Sequence, residues 1–342
     1  LIELDICSFR YSPLMNHVCV VIELVSIGII IILLNFGVLY KRDIDKPKNL
    51  ALYKLLKLSI LISCFLPLCS RCSFLLPGVV IYAFTFLQDP ELHQGRPSSW
   101  FRRWSIWERV ATAKHSGFIC TTELKPGRYM FAAHPHGVLP LGICLNIGTN
   151  GTGIDAALPG IHFRGVAVSA CYIIPFYRDL CLAMGGTDCR EVTIRSLLSK
   201  GLSPVVVPGG ADESLLSVTH HNHIRMEHKG FIRVAIQTGT AIVPMYSFGE
   251  NNWWYIPEGS RELPCLNRIM KSLFGIRIPP IHSLLPSNTQ ITTVFGSPIE
   301  VKKCEHPSEE EVNRVFWEYV RQIQSIFKQY RPEGEDDLEI DF

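Results

Sequence analysis

The chain has 342 residues, enough for one large domain or two ordinary ones with a membrane anchor besides. Hydrophobic residues make up 47% and charged residues only 19%, against about 25% in a typical soluble domain, and mean hydropathy is +0.19; a disordered, collagen-like or wholly coiled-coil chain is excluded, and some segment is expected to sit in lipid. A net charge of +2 gives no electrostatic case for nucleic-acid binding, and twelve cysteines without a framework spacing read as reduced thiols.

Residues 18–40 form an apolar run of 23 interrupted by Glu23, Ser26 and Asn35. At ~1.5 Å per residue such a run covers the ~30 Å hydrocarbon core, which predicts a transmembrane helix. A signal peptide fits less well, because its apolar region is only ~7–15 residues long. A second apolar stretch, 58–87, is interrupted by Pro67, Arg71, Pro77 and Gly78. Residues 41–57 between them carry six basic groups against two acids, which the positive-inside rule assigns to the cytosolic side. Arg96, Arg102, Arg103 and Arg109 make the following region basic too. Two topologies stay open: a two-helix hairpin, or a re-entrant second segment turning near Pro67 and Arg71 that keeps both basic regions cytosolic. Residues 1–95 are thus read as an anchor region, 96–332 as a globular domain and 333–342 as a tail.

Within the globular domain, short apolar runs predict strands at 129–133, 166–172, 204–207, 241–248 and 290–295. Helical periods predict helices at 137–147, 192–200, 230–237 and 308–330. Alternation of the two predicts an α/β fold, a mixed, largely parallel sheet with flanking helices. The last helix is the clearest: Ser308 and Glu311 form a capping box, and Val312, Val315, Phe316, Tyr319, Val320, Ile323, Ile326 and Phe327 keep a 3.6 period. The tail has six acids in ten residues and is expected to be disordered.

The motif His134-Pro135-His136-Gly137 follows an apolar strand, and two histidines around a proline belong in a turn rather than a helix interior. In open α/β sheets sites collect at such strand ends. An imidazole there is suited to act as general base on an alcohol, and Gly137 allows the close approach the turn needs. The rival reading is a structural turn. The segment Gly209-Gly210-Ala211-Asp212-Glu213-Ser214 also follows a buried strand; it offers backbone N–H groups and a carboxylate, or simply a tight turn with a capped helix. Lys229 and Arg233 lie one helical turn apart and suit a phosphate, though such a pair is commonly a solvated face. His220, His221, His223 and His228 lack the spacing of a zinc site, so no metal is expected. There is no Gly-x-Ser-x-Gly elbow, Walker A loop or Gly-x-Gly-x-x-Gly turn.

Taken in order, His134 to Pro140, Arg178-Asp179, Gly209 to Leu215, His228 to Ala235, Val243 to Asn251 and Ile291 to Gly296 resemble the type-2 diacylglycerol acyltransferase family, which includes monoacylglycerol and wax-alcohol acyltransferases. Phe65-Leu66-Pro67-Leu68 is similar to that family's neutral-lipid-binding element. Pro208, Asp212 and the His-rich 219–223 depart from the family pattern. The resemblance implies an acyltransferase-like fold, a membrane hairpin, and transfer of a fatty acyl group from acyl-CoA to diacylglycerol, with monoacylglycerol or a long-chain alcohol as alternative acceptors. It places the chain in the endoplasmic reticulum membrane or at the lipid droplet, with its domain cytosolic and no cofactor beyond acyl-CoA as co-substrate. Partners are acyl-CoA and a neutral lipid; the oligomeric state stays open.

On this reading His136 is the preferred base and His134 the alternative, with Glu213 orienting the imidazole. Gly137, Gly209 and Gly210 are candidate oxyanion donors. Lys229, Arg233 and Arg178 are candidates for the CoA phosphates, and Phe65, Leu66 and Leu68 for neutral lipid. Two other classes compete: a non-catalytic membrane lipid-binding protein, and a metal-dependent hydrolase using the His-rich segment.

Overall fold

The computed structural model describes residues 47–71, 76–283 and 287–342. The predicted span 18–40 lies outside the described residues. The chain divides into two compact units at Gln88 and Asp89, shortly before the composition change near 95.

The described part of the first unit is a helix Pro47–Arg71 and a helix Leu76–Phe86. They run antiparallel, since Phe65 stacks on Tyr82 at 5.9 Å while Lys57 reaches Phe86. Buried Lys57 donates to the Gln88 carbonyl at 2.9 Å and lies over the Tyr53 ring, so its charge is met without water. Among the described residues no helix is long and apolar enough to cross a membrane. The second has 11 residues, about 16 Å at the helical rise, and the first carries Lys48, Lys54, Lys57 and Arg71. The expected turning point at Pro67 lies inside a continuous helix. Of the neutral-lipid candidates, Phe65 is half-buried against Tyr82; the side chains of Leu66 and Leu68 lie outside the described ones.

The described residues of the second unit form nine strands: β1 (Gly117–Cys120), β2 (Met130–His134), β3 (Phe163–Ala167), β4 (Thr187–Asp188), β5 (Ser203–Val206), β6 (Asn222–Arg225), β7 (Ile242–Phe248), β8 (Thr292–Phe295) and β9 (Leu338–Asp341). Seven form one sheet in the order β1-β8-β7-β2-β5-β3-β4, and β6 pairs with β9 apart from it. Every neighbouring pair of the large sheet is parallel except β7 with β8. β2 is central and fully buried, and alternation sorts its residues between two cores. Met130 and Ala132 pack with Ile232, Ile242 and the C-terminal helix Glu309–Tyr330. Phe131 and Ala133 pack with Ile147, Ile154, Val205 and Met245 on the other face.

The helix predicted at 137–147 is a loop, then a short helix Leu141–Ile143 and a π turn Cys144–Gly148. The strand expected at 166–172 starts at Phe163 and gives way at Ser169 to a 3-10 turn. In the terminal helix Ser308 accepts from the Glu311 N–H at 3.2 Å, but the Glu311 carboxylate pairs with Arg314 instead of closing the capping box. The acidic tail, expected to be disordered, contains β9. Its alternation explains this: Leu338 and Ile340 pack against the core, while Asp341 meets His223 and Arg225 of β6.

Candidate active site

Because β2, β5, β3 and β7 are parallel, their C-terminal ends share one edge of the sheet. β2 ends at His134, β5 leads into the short helix Gly210–Ser214 that carries Glu213, and β7 leads through Gly249 to Glu250. Glu213 is thereby brought to His134 and His136, 79 and 77 positions away in sequence, and Glu250 to Leu141 and Gly142, 109 and 108 away.

Glu213 is the centre of the arrangement. Its Oε2 accepts from His134 Nδ1 at 2.8 Å and from the Arg225 backbone N–H at 2.9 Å; its Oε1 accepts from the His136 backbone N–H at 2.5 Å. The side chains of His134 and Glu213 are wholly buried. A carboxylate only accepts, so the His134 Nδ1 donates, and in the neutral ring its Nε2 is the acceptor. That Nε2 is buried without a partner among the described residues.

The expected contact of Glu213 with the His136 ring is made by the His134 ring instead. Glu213 orients the ring of His134, whereas His136 supplies only its main-chain N–H. The His136 ring bonds the Gly137 carbonyl at 2.9 Å, and desolvation lowers its pKa, with that carbonyl and Glu213 opposing. Behind His134 the Tyr319 ring packs at 6.1 Å, its hydroxyl on the Ala132 carbonyl.

Two glycines make room for carboxylates. A Cβ on Gly209 would lie 1.9 Å from Glu213 Oε2, so no side chain fits there while Glu213 keeps its partners. Gly137 has φ +62°, and a Cβ would lie 2.8 Å from Glu250 Cγ. Gly210 does not fit the oxyanion role, because its N–H closes the turn on the Val207 carbonyl at 3.0 Å.

The sequence motif Val243 to Asn251 assigns Glu250 no role. Its carboxylate, buried in the second unit, accepts from the Leu141 and Gly142 N–H groups, both at 2.7 Å, and so braces the far end of the histidine turn. Burial pushes its pKa up to about 8 against these two hydrogen bonds. The only sequence signal was an acid directly after a buried strand.

The expected phosphate ligands have other partners. Arg178 is fully buried and paired with Glu91 at 3.1 Å. Lys229 donates to Asn313 at 2.8 Å and lies 4.5 Å over the Phe316 ring, while Arg233 pairs with Glu309 at 2.6 Å. Burial or engagement with the C-terminal helix explains why these contacts lend no support to a CoA role. Among the described residues no group of three or more His, Cys, Asp or Glu is placed to hold a metal. His221 and His223 of the His-rich stretch face acids of the tail instead.

A family profile described as Diacylglycerol acyltransferase matches residues 65–340. Diacylglycerol O-acyltransferase 2 from Danio rerio is 33% identical over 256 residues, 69% of this chain and 70% of that one. Human 2-acylglycerol O-acyltransferase 3 is 32% identical over 256 residues, 69% of this chain and 74% of its own. Among solved structures, the 1-acyl-sn-glycerophosphate acyltransferase PlsC of Thermotoga maritima aligns with TM-score 0.40 and 15% identity, covering 67% of this chain and 79% of that one. With a buried histidine and glutamate joined at the edge of a largely parallel sheet and a family match across most of its length, the chain belongs to the diacylglycerol acyltransferase family and is an acyltransferase.

Proposed function

We propose that the protein moves a fatty acyl group from acyl-CoA to the free hydroxyl of diacylglycerol, forming triacylglycerol, with His134 as general base. One observation carries this reading: His134 Nδ1 is held by buried Glu213 at 2.8 Å, while Nε2 is a buried acceptor with no partner among the described residues. As the acceptor oxygen attacks the thioester carbonyl, its proton passes to Nε2. The C–S bond breaks, and the CoA thiolate leaves with the proton returned by the imidazolium. Glu213 stabilises that imidazolium and fixes the ring's tautomer. A thioester is already activated, so no acyl-enzyme is required. Backbone N–H groups of Gly137 and Gly209 are the proposed donors to the developing oxyanion.

The acceptor reading draws on the Danio rerio relative's name; monoacylglycerol is the second reading, drawn from the human relative's name. The reaction is assigned to the endoplasmic reticulum membrane, with the catalytic unit cytosolic, on the strength of the resemblance and the apolar run 18–40. Membranes containing the full chain, given labelled acyl-CoA and diacylglycerol, monoacylglycerol and long-chain alcohol in competition, test the acceptor. In the same assay His134→Ala is expected to lower transfer by at least ~10², the scale of general-base catalysis. His136→Ala keeps its main-chain N–H on Glu213 and loses less. The opposite ranking would return the base to His136.

A further inference from the structure

The helix Pro264–Phe274 is turned the opposite way from an ordinary surface helix. Its fully buried position is polar: the Asn267 amide donates to Glu262 and to the Ile278 carbonyl and accepts from the Ile278 N–H. Its apolar stripe faces outward, with Leu266 38% and Ile269 54% exposed, and Leu263 just ahead 64% exposed. Leu266, Ile269, Met270 and Leu273 fall at i, i+3, i+4 and i+7, so they form one face. Between residues 261 and 277 stand four basic residues, Arg261, Arg268, Lys271 and Arg277, against one acid, Glu262, which Asn267 holds. An outward apolar stripe flanked by cations matches a bilayer interface carrying anionic headgroups: the side chains enter the acyl boundary and Arg261 and Arg268 meet the phosphates, Lys271 and Arg277 being engaged by Asp212.

The same helix is fastened beside the candidate site. Lys271 Nζ and Arg277 Nε grip the two oxygens of Asp212 at 2.5 and 2.6 Å, and Asp212 directly precedes Glu213. We infer that the helix Pro264–Phe274 docks on an anionic lipid surface through Leu263, Leu266 and Ile269, and that its ion pairs to Asp212 thereby seat the Glu213 turn at that surface. Asp212, a departure from the family pattern, is then the link between the docking helix and the catalytic turn. For its kinetic consequence, though not for the docking itself, this rests on the acceptor being a membrane lipid.

The test places a fluorescent amino acid by codon suppression at position 269 or 325 of the full chain, in nanodiscs of phosphatidylcholine with or without phosphatidylserine and lipid-borne spin labels. Emission at 269 is expected to shift blue and lose about half its intensity to the labels, as seating ~5–10 Å into the headgroup boundary implies, more so with phosphatidylserine, while Ser325 on the exposed face of the terminal helix reports water. No change at 269, equal quenching at 325, or a blue shift without lipid quenching, as a second protein copy would give, overturns the inference. In a parallel assay, Leu266→Ser with Ile269→Ser is expected to raise KM about tenfold or more for bilayer-embedded diacylglycerol while sparing kcat on a dispersed short-chain one. Equal losses on both acceptors overturn the kinetic consequence. Absence of transfer to any acceptor would instead refute the acyltransfer reading and leave the fluorescence result standing.

Discussion

Glu213 binds three donors with two oxygens, and its neighbours are chosen around that. The Gly209 position has no space for a methyl group, and the His136 and Arg225 main-chain N–H groups hold the carboxylate at an angle that reaches His134. Glu213→Gln places an amide donor against at least one of these N–H groups and removes the charge that stabilises an imidazolium; kcat is expected to fall ~10² or more with near-UV dichroism unchanged. Gly209→Ala should reproduce the loss by displacing the carboxylate. Glu250 makes a different prediction. Its folded pKa, about 8, exceeds the ordinary 4.5 because burial outweighs two N–H bonds. A raised carboxyl contributes stability that is fully present below its unfolded pKa and lost as pH rises through the folded one. Relative to Glu250→Gln, the wild-type Tm should therefore be highest below about pH 4.5, decline as pH rises toward about 8, and level off above it. A difference flat with pH would show that the group does not titrate there. These residues were legible in sequence only as types at strand ends; the partner of each was not.

At the scale of elements, the terminal helix could be read in advance because a 22-residue amphipathic period contains its own instructions. Replacing its cap, Ser308→Ala, should cost about 1 kcal/mol, visible as a lower Tm. The β6 and β9 strands could not be read, since each has four residues and neither makes sense without the other. Their contact joins the His-rich insert to the acidic tail. Hydrogen bonding from His223, against slight desolvation and with help from Arg225, holds the Asp341 carboxyl below its ordinary range. A depressed carboxylate contributes stability that is present above its unfolded pKa and lost as pH falls through the folded value. Asp341→Asn is expected to cost ~1 kcal/mol or less, a half-exposed pair being largely screened, and to remove this acid-side dependence in a pH series of denaturation curves. Because the Arg225 N–H also holds Glu213, deleting residues 338–342 should lower transfer as well as stability.

At the scale of the molecule, a buried pair decides what Arg178 does. With its guanidinium fully buried against Glu91, Arg178→Ala would leave a buried acid without this partner and is expected to destabilise by ~3–5 kcal/mol. Thermal unfolding should register that loss; a large rise in KM for acyl-CoA at unchanged Tm would return Arg178 to the substrate site. What the sequence determined by itself was the family, the alternation of strands and helices, and the set of polar residues at strand ends, because these rest on local pattern and motif order. Only the tertiary structure decided which histidine ring Glu213 bonds, that Arg178 is buried against Glu91, and that an acidic tail contains a strand. Those outcomes depend on sheet order and parallel register, which bring distant strand ends to one edge, and on burial, which decides whether a charge meets a partner or solvent.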